Sequence, residues 1–290
     1  MQYKISDGIT QSLLTAFMAC PKKCAFILKG LYDPSKSENY RKGSIGHAIL
    51  ETIYGSGDWV KTLDEQYEKC RKESIPDEKL NSIFGIFEAI ITCYLEFYKK
   101  DFKGTKFITE QIFNIEYKGF RLRGKTDLTF QMEKQAVLME HKFWSQISED
   151  KLINVLSLDF QTNFYAFIYR LQNGKYPDRI DYNVVRIPQN KIKDAESSKD
   201  FAQRLMIDIR KDPKYYFRRV PIVPSKRQLE SFEKNLDLLL ENFKAFTLSP
   251  FATSNYMSCY PGIFLCDFAP VCVSGSIAGF KTKPLFEELK

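Results

Sequence analysis

Lys106 to Lys142 reads KFITEQIFNIEYKGFRLRGKTDLTFQMEKQAVLMEHK. Phe107, Ile112, Phe113, Ile115 and Tyr117 stand before Gly119. Phe120, Leu122, Leu128 and Phe130 follow it, and Val137, Leu138 and Met139 come after Glu133-Lys134. Short runs rich in β-branched and aromatic residues, punctuated by a glycine and by a charged pair, predict three strands in a meander, turning at Gly119 and around Glu133-Lys134.

On either side the period changes. Apolar residues recur at helical spacing through Leu13, Leu14, Phe17 and Met18, through Ile45, Ile49 and Ile53, and from Ile83 to Tyr98, so residues 1–103 form a helical region. Beyond the meander a helix is expected from Asp150 to Leu171, then a fourth strand through Ile180, Tyr182, Val184 and Val185, ending before Pro188. Strand, strand, strand, helix, strand defines an α/β core over residues 104–190. Residues 191–290 carry a helix from Ala195 to Arg210, a short strand around Tyr216 to Val223, a helix from Lys226 to Phe246 and, after Pro250, a cysteine-bearing segment with Gly and Pro. The length of 290 residues suits one domain, residues 1–290, built from these three parts.

Composition narrows the class. A hydrophobic fraction of 44% with 27% charge is ordinary for a globular chain. No run approaches the ~18 uncharged apolar residues of a membrane span, so no membrane partner is expected. The start, Met1 to Gly8, lacks the apolar run of a secretory signal, which points to a cytoplasm. A formal charge of +7 permits a polyanionic partner without demanding one. Seven cysteines, an odd number, argue against a disulfide framework and leave buried thiols or metal ligands.

The chemistry-bearing residues fall within the meander. Asp127 lies in Gly124-Lys125-Thr126-Asp127-Leu128 on the second strand, and Glu140 and Lys142 flank His141 on the third. Strand alternation sends Glu140 and Lys142 to one face and His141 to the other. Two hard carboxylate ligands suit Mg²⁺ or Mn²⁺, and a neighbouring ammonium can orient water or steady charge developing on a phosphate. Taken alone, the pattern also fits a solvated ion-pair ladder. Gln161 and Tyr165, four apart on the following helix, share a face that can bond phosphate or stack on a base. Tyr165 equally fits a core aromatic among Phe160, Phe164 and Phe167. His47, one of two histidines, reads alone as a structural residue.

The order of these features, G-x-x-x-H, G-x-x-D, E-x-K and Q-x-x-x-Y, resembles the RecB-type branch of the PD-(D/E)xK nucleases. That resemblance implies a restriction-endonuclease-like core, a central mixed sheet flanked by helices. It implies His47, Asp127 and Glu140 as metal ligands, the His141 carbonyl as a further one, Lys142 as the catalytic lysine beside Asp127 and Glu140, and Gln161 and Tyr165 as substrate-binding residues.

Cys20, in a Cys-Pro pair, and the trio Cys259, Cys266 and Cys272 bracket the nuclease motifs. Four thiolates suit a zinc or an iron-sulfur cluster, and spacing does not separate the two. One early Cys-Pro and three late cysteines are similar to the iron-sulfur nucleases related to the AddB subunit and to the CRISPR-associated spacer-trimming exonuclease. This implies a 4Fe-4S cluster held by Cys20, Cys259, Cys266 and Cys272. Six residues separate Cys259 from Cys266, where those relatives commonly have a single pair; the five between Cys266 and Cys272 agree. Cys24 competes as the early ligand, while Cys70 and Cys93 read as ordinary helix residues.

The resemblance implies a metal-dependent DNA exonuclease like those encoded by bacteriophages, acting in a bacterial or phage-infected cytoplasm. No Walker A sequence is present, so any helicase or recombination protein would be a separate partner. The competing readings are a DNA-binding component of a recombination or spacer-acquisition complex, with incidental catalysis, and a restriction-type endonuclease.

Overall fold

A computed structural model describes residues 3–34, 37–72, 75–102, 105–145, 156–260 and 265–289. Its centre is a five-stranded sheet in sequential order, β2-β3-β4-β5-β6, formed by Phe107–Tyr117, Phe120–Met132, Gln135–Trp144, Arg179–Arg186 and Phe217–Ile222. β2, β3 and β4 run antiparallel as the meander expected from the sequence. The β2–β3 turn pairs Tyr117 with Phe120 across Lys118 and Gly119, both at positive φ (50° and 81°). That backbone suits a two-residue hairpin whose twist matches the strands.

β4 and β5 are parallel, and β6 returns antiparallel to β5, so the sheet is mixed. A parallel step needs a crossover, and α6 (Phe160–Asn173) supplies its described part. Asp159 caps that helix by accepting from the Thr162 amide, and Gly174 closes it in the left-handed region at φ 74°. The expected beginning of this helix, from Asp150 to residue 155, lies outside the described residues.

Helices cover both faces. On one side α3 (Ser37–Tyr54), α4 (Trp59–Lys72), α5 (Asp77–Phe97) and α7 (Ser198–Lys211) bury residues such as Ile49, Phe87 and Phe201 with Val137 and Met139 of β4. On the other, α1 (Gln11–Ala19), α6 and α9 (Lys226–Leu248) enclose Leu14, Phe167 and Leu240 with Leu138 of β4 and Val184 of β5. Each fully buried Leu or Phe side chain contributes about 1.5–3 kcal/mol. The alternation of Val137, Leu138 and Met139 between the two cores fixes which face every later β4 residue meets. α5 is long and apolar enough to cross a membrane by composition alone, and 61% of its most apolar window is buried inside the protein.

The differences from expectation are local. Ala195 adopts φ 61°, so the helix expected from it begins instead at Ser198, capped by Ser197. A short helix, α8 (Pro213–Tyr216), precedes β6. In the helical first hundred residues, α2 (Pro21–Leu28) is followed by a two-residue strand, β1 (Leu31–Tyr32). β1 pairs with β7 (Lys281–Thr282), which lies beyond the short helix α10 (Ala269–Ser274). The C-terminal segment therefore folds back onto α2, where Phe26 stacks on Phe268 at 5.4 Å and Lys22 N–H donates to Thr253 O at 3.0 Å.

Candidate functional site

The β3–β4 ladder ends at Leu128↔Met139, while β4 continues beside β5 through Trp144. Asp127 and Glu140 lie one residue beyond the last β3–β4 pair. There the His141 amide donates to Asp127 Oδ2 at 2.8 Å. The other carboxylate oxygen, Oδ1, is 3.3 Å from His47 Nδ1 on α3. His47 reaches the sheet because Gly46 lies flat against Phe143: a Cβ at Gly46 would sit 2.3 Å from the Phe143 ring. Gly43, the glycine of the G-x-x-x-H pattern, has no such neighbour. In the G-x-x-D pattern Gly124 is the tight one, 2.4 Å from Phe113 by the same measure.

Beside this pair Glu140, Lys142 and Gln161 form a closed triangle. Lys142 Nζ donates to Glu140 Oε1 at 2.9 Å and to Gln161 Oε1 at 2.7 Å, and Gln161 Nε2 donates to Glu140 Oε1 at 2.6 Å. The mouth of α6 is fixed by Asp159, whose Oδ2 also accepts from Tyr182 Oη of β5 at 2.8 Å. Tyr165 lies one turn on from Gln161. Its ring is buried, edge-on to Phe113 at 6.0 Å, and its hydroxyl bonds Gln161. The Tyr165 ring thus belongs to the core, and its oxygen to the polar cluster.

Electrostatics separate the two carboxyls. Burial works to raise Asp127, but the His47 hydrogen bond and charge, with the His141 amide, outweigh it and hold the group down at about 2. Burial, reinforced by Asp127, pushes Glu140 up to about 7 against the pull of Lys142. Burial would depress His47 and Lys142, yet the carboxylates beside them raise both. His141, on the far side of β4, is driven down to about 3 by burial and is a neutral ring.

The donor set suits a hard divalent cation with one imidazole. Glu140 Oε2 is buried without a hydrogen-bond partner among the described residues, as an acceptor awaiting a cation would be. Glu110, which belongs to none of the sequence motifs, joins this group: one ligand atom each from His47, Glu110 and Asp127 lie within 4.8 Å of one another. Its signal was countable. Pairing Tyr117 with Phe120 across the turn puts position 110 opposite position 127, between Thr109↔Leu128 and Gln111↔Thr126. Asn183, which bonds His141 from behind, had no comparable sequence signal.

A separate pocket of about 280 Å³ is lined by Cys20, Cys259, Cys266 and Cys272, together with Lys22 and Tyr256. The Asn255 amide donates to Cys20 Sγ at 3.4 Å, and the Cys266 amide donates to Cys259 O at 2.8 Å. Cys24 points away, fully buried, its thiol toward Leu13 O at 3.7 Å. Cys70 on α4 and Cys93 on α5 are buried elsewhere, within the helical layer.

The sequence profile of the PD-(D/E)XK nuclease superfamily matches residues 9–273, and the chain belongs to that superfamily. It is similar in fold to the crystal structure of a candidate exonuclease from Eubacterium rectale, with a TM-score of 0.54 and 12% identity, covering 94% of this chain and 96% of that one. The crystal structure of SSO0001 aligns at a TM-score of 0.34 and 10% identity over 82% of this chain and 78% of its own, too distant to carry an argument. No curated protein matches the chain in sequence.

Proposed function

We propose that this nuclease is a DNA exonuclease dependent on Mg²⁺ or Mn²⁺, with an iron-sulfur cluster as a structural clasp. The observation that carries the catalytic half is the fork in the sheet, where His47, Asp127 and Glu140 converge beside the Lys142–Gln161 pair. Asp127, Glu140, His47 and the His141 carbonyl would hold the cation. When bound, it would polarise the phosphodiester and activate a water. Asp127 is pre-aimed by the His141 amide and by His47. Lys142, fixed by Glu140 and Gln161, places an ammonium where it can donate to a phosphate oxygen as negative charge builds there. Gln161 orients Lys142, and the Tyr165 hydroxyl orients Gln161.

Exonuclease over endonuclease is supported by the fold shared with the Eubacterium rectale candidate exonuclease. For the clasp, the support is the pocket common to Cys20, Cys259, Cys266 and Cys272. Thiolates from both ends of the chain, tied to one centre, would restrict the unfolded ensemble and so stabilise the fold. End-labelled linear DNA and covalently closed circular DNA, offered with Mg²⁺ or Mn²⁺ to protein purified without oxygen, test the reading together with its visible spectrum. Degradation from ends only, by brown protein, is the expected result. Cutting of circles would make it an endonuclease, and binding without cutting a DNA-binding component. Colourless protein with about one zinc would replace the cluster by a zinc clasp.

A further inference from the structure

Glu110 is the only non-glycine residue at positive φ inside a strand among the described residues, at φ 48° in the middle of β2. Its neighbours keep the β2–β3 register on both sides, so the kink is confined to this position. Backbone held in a sparsely populated region persists where the surroundings demand it, and such positions gather at functional sites. What this conformation achieves is visible in the side chain: the Glu110 carboxylate, about 10% exposed, turns in toward His47 and Asp127 while ion-paired to Lys125. Lys125 precedes Asp127 by two residues on β3 and is one-third exposed at its side chain, so it borders both the carboxylate cluster and solvent.

Two carboxylates with ligand atoms within 4.8 Å of each other repel, and here His47 pairs with Asp127 while one ammonium, Lys125, balances Glu110. A divalent cation and that ammonium compete for the same carboxylate. We propose that Glu110 is a further ligand of the divalent-cation site and that Lys125 is the counter-charge it gives up on loading, leaving Lys125 to a phosphate oxygen of the DNA. The inference rests on the metal-dependent reading above and adds an order of events: the cation binds, Lys125 is released, and DNA affinity rises. Loading and substrate binding then reinforce each other through one lysine.

Mn²⁺ binding to metal-stripped protein without DNA, followed by electron paramagnetic resonance, separates the cases. Glu110→Gln should weaken Mn²⁺ binding by about ten- to a hundredfold. Lys125→Met should tighten it, a change that misfolding does not produce. In Ca²⁺, with a fluorescent duplex as probe, Lys125→Met should bind DNA more weakly than wild type, whereas without divalent cation the two should bind alike. Wild-type Mn²⁺ affinity in Glu110→Gln, or no tightening in Lys125→Met, would overturn the inference. Asp127→Asn tells the two readings apart. If it loses Mn²⁺ while Glu110→Gln keeps it, only the role of Glu110 falls; if wild type itself binds no Mn²⁺, the metal-dependent reading falls and takes this one with it.

Discussion

The imidazole of His141 and the amide of Asn183 are bonded to each other, Nδ1 to Nδ2 at 2.9 Å, on the face of β4 turned away from Glu140 and Lys142. Burial keeps that ring neutral, so Asn183 donates to a bare Nδ1 and the ring proton sits on Nε2. Tyr54 stacks on the same ring at 5.6 Å, and its hydroxyl accepts from Arg219 Nη2 at 2.8 Å. The strand bearing the site is thus pinned from behind by a neutral contact that adds no charge to the carboxylate side.

Replacing Asn183 by Leu leaves a buried imidazole nitrogen unpaired, at a cost of about 1–3 kcal/mol. The Tm should fall correspondingly in thermal denaturation of the metal-free protein. An unchanged Tm would show that the His141–Asn183 bond contributes nothing to holding β4.

Asp127→Asn, Glu140→Gln and Lys142→Met should each lower Mg²⁺- or Mn²⁺-dependent cutting by roughly a hundredfold or more, since each removes charge aimed at one phosphate. Circular dichroism should remain that of the wild type, because the substitutions preserve shape. Near wild-type cutting by either carboxylate variant would end the assignment.

Gln161→Ala removes the bridge between Glu140 and Lys142, whereas Tyr165→Phe keeps the ring against Phe113 and deletes only the oxygen that meets Gln161. Both should cut DNA more slowly at saturating substrate, with Tyr165→Phe destabilised by no more than about 1 kcal/mol. Variants that melt early yet cut normally would make this helix face structural.

Cys20→Ser, Cys259→Ser, Cys266→Ser and Cys272→Ser should each abolish visible absorption and lower the Tm, and Cys24→Ser, Cys70→Ser and Cys93→Ser should leave the spectrum intact. Loss of colour in Cys24→Ser alone, with Cys20→Ser still brown, would exchange the early ligand. Unchanged stability in all four, in protein free of iron and zinc, would remove the clasp.

Cys24 gives a pH signature. Burial, with Cys20 adding to it, pushes the thiol from 9.0 up to about 12. The folded state therefore holds its proton more tightly than the unfolded one. Its stabilising contribution is full below the unfolded value near 9 and is lost as pH rises toward about 12. Cys24→Ala should flatten the alkaline fall in the urea midpoint over that window, and a slope equal to wild type would contradict the burial argument.

The sequence by itself determined the meander, the turn at Gly119 and the face shared by Glu140 and Lys142. These follow from the two-residue repeat of a strand and the φ freedom of glycine, properties of a few consecutive residues. The helix carrying Gln161 and Tyr165, one turn apart, was legible for the same reason. Only the tertiary structure decided that Glu110 leaves the regular strand backbone to meet His47 and Asp127, that Gly46 rather than Gly43 admits Phe143, and that Cys20 rather than Cys24 opens into the pocket shared with the late cysteines. Cys20 and Cys24 are both buried and lie one helical turn apart in sequence. What separates them is the docking of a segment more than two hundred residues away, where the Asn255 amide meets Cys20 Sγ. Local periodicity is written in covalent geometry, whereas the approach of distant segments is set by which apolar faces close together, and no short stretch of chain contains that.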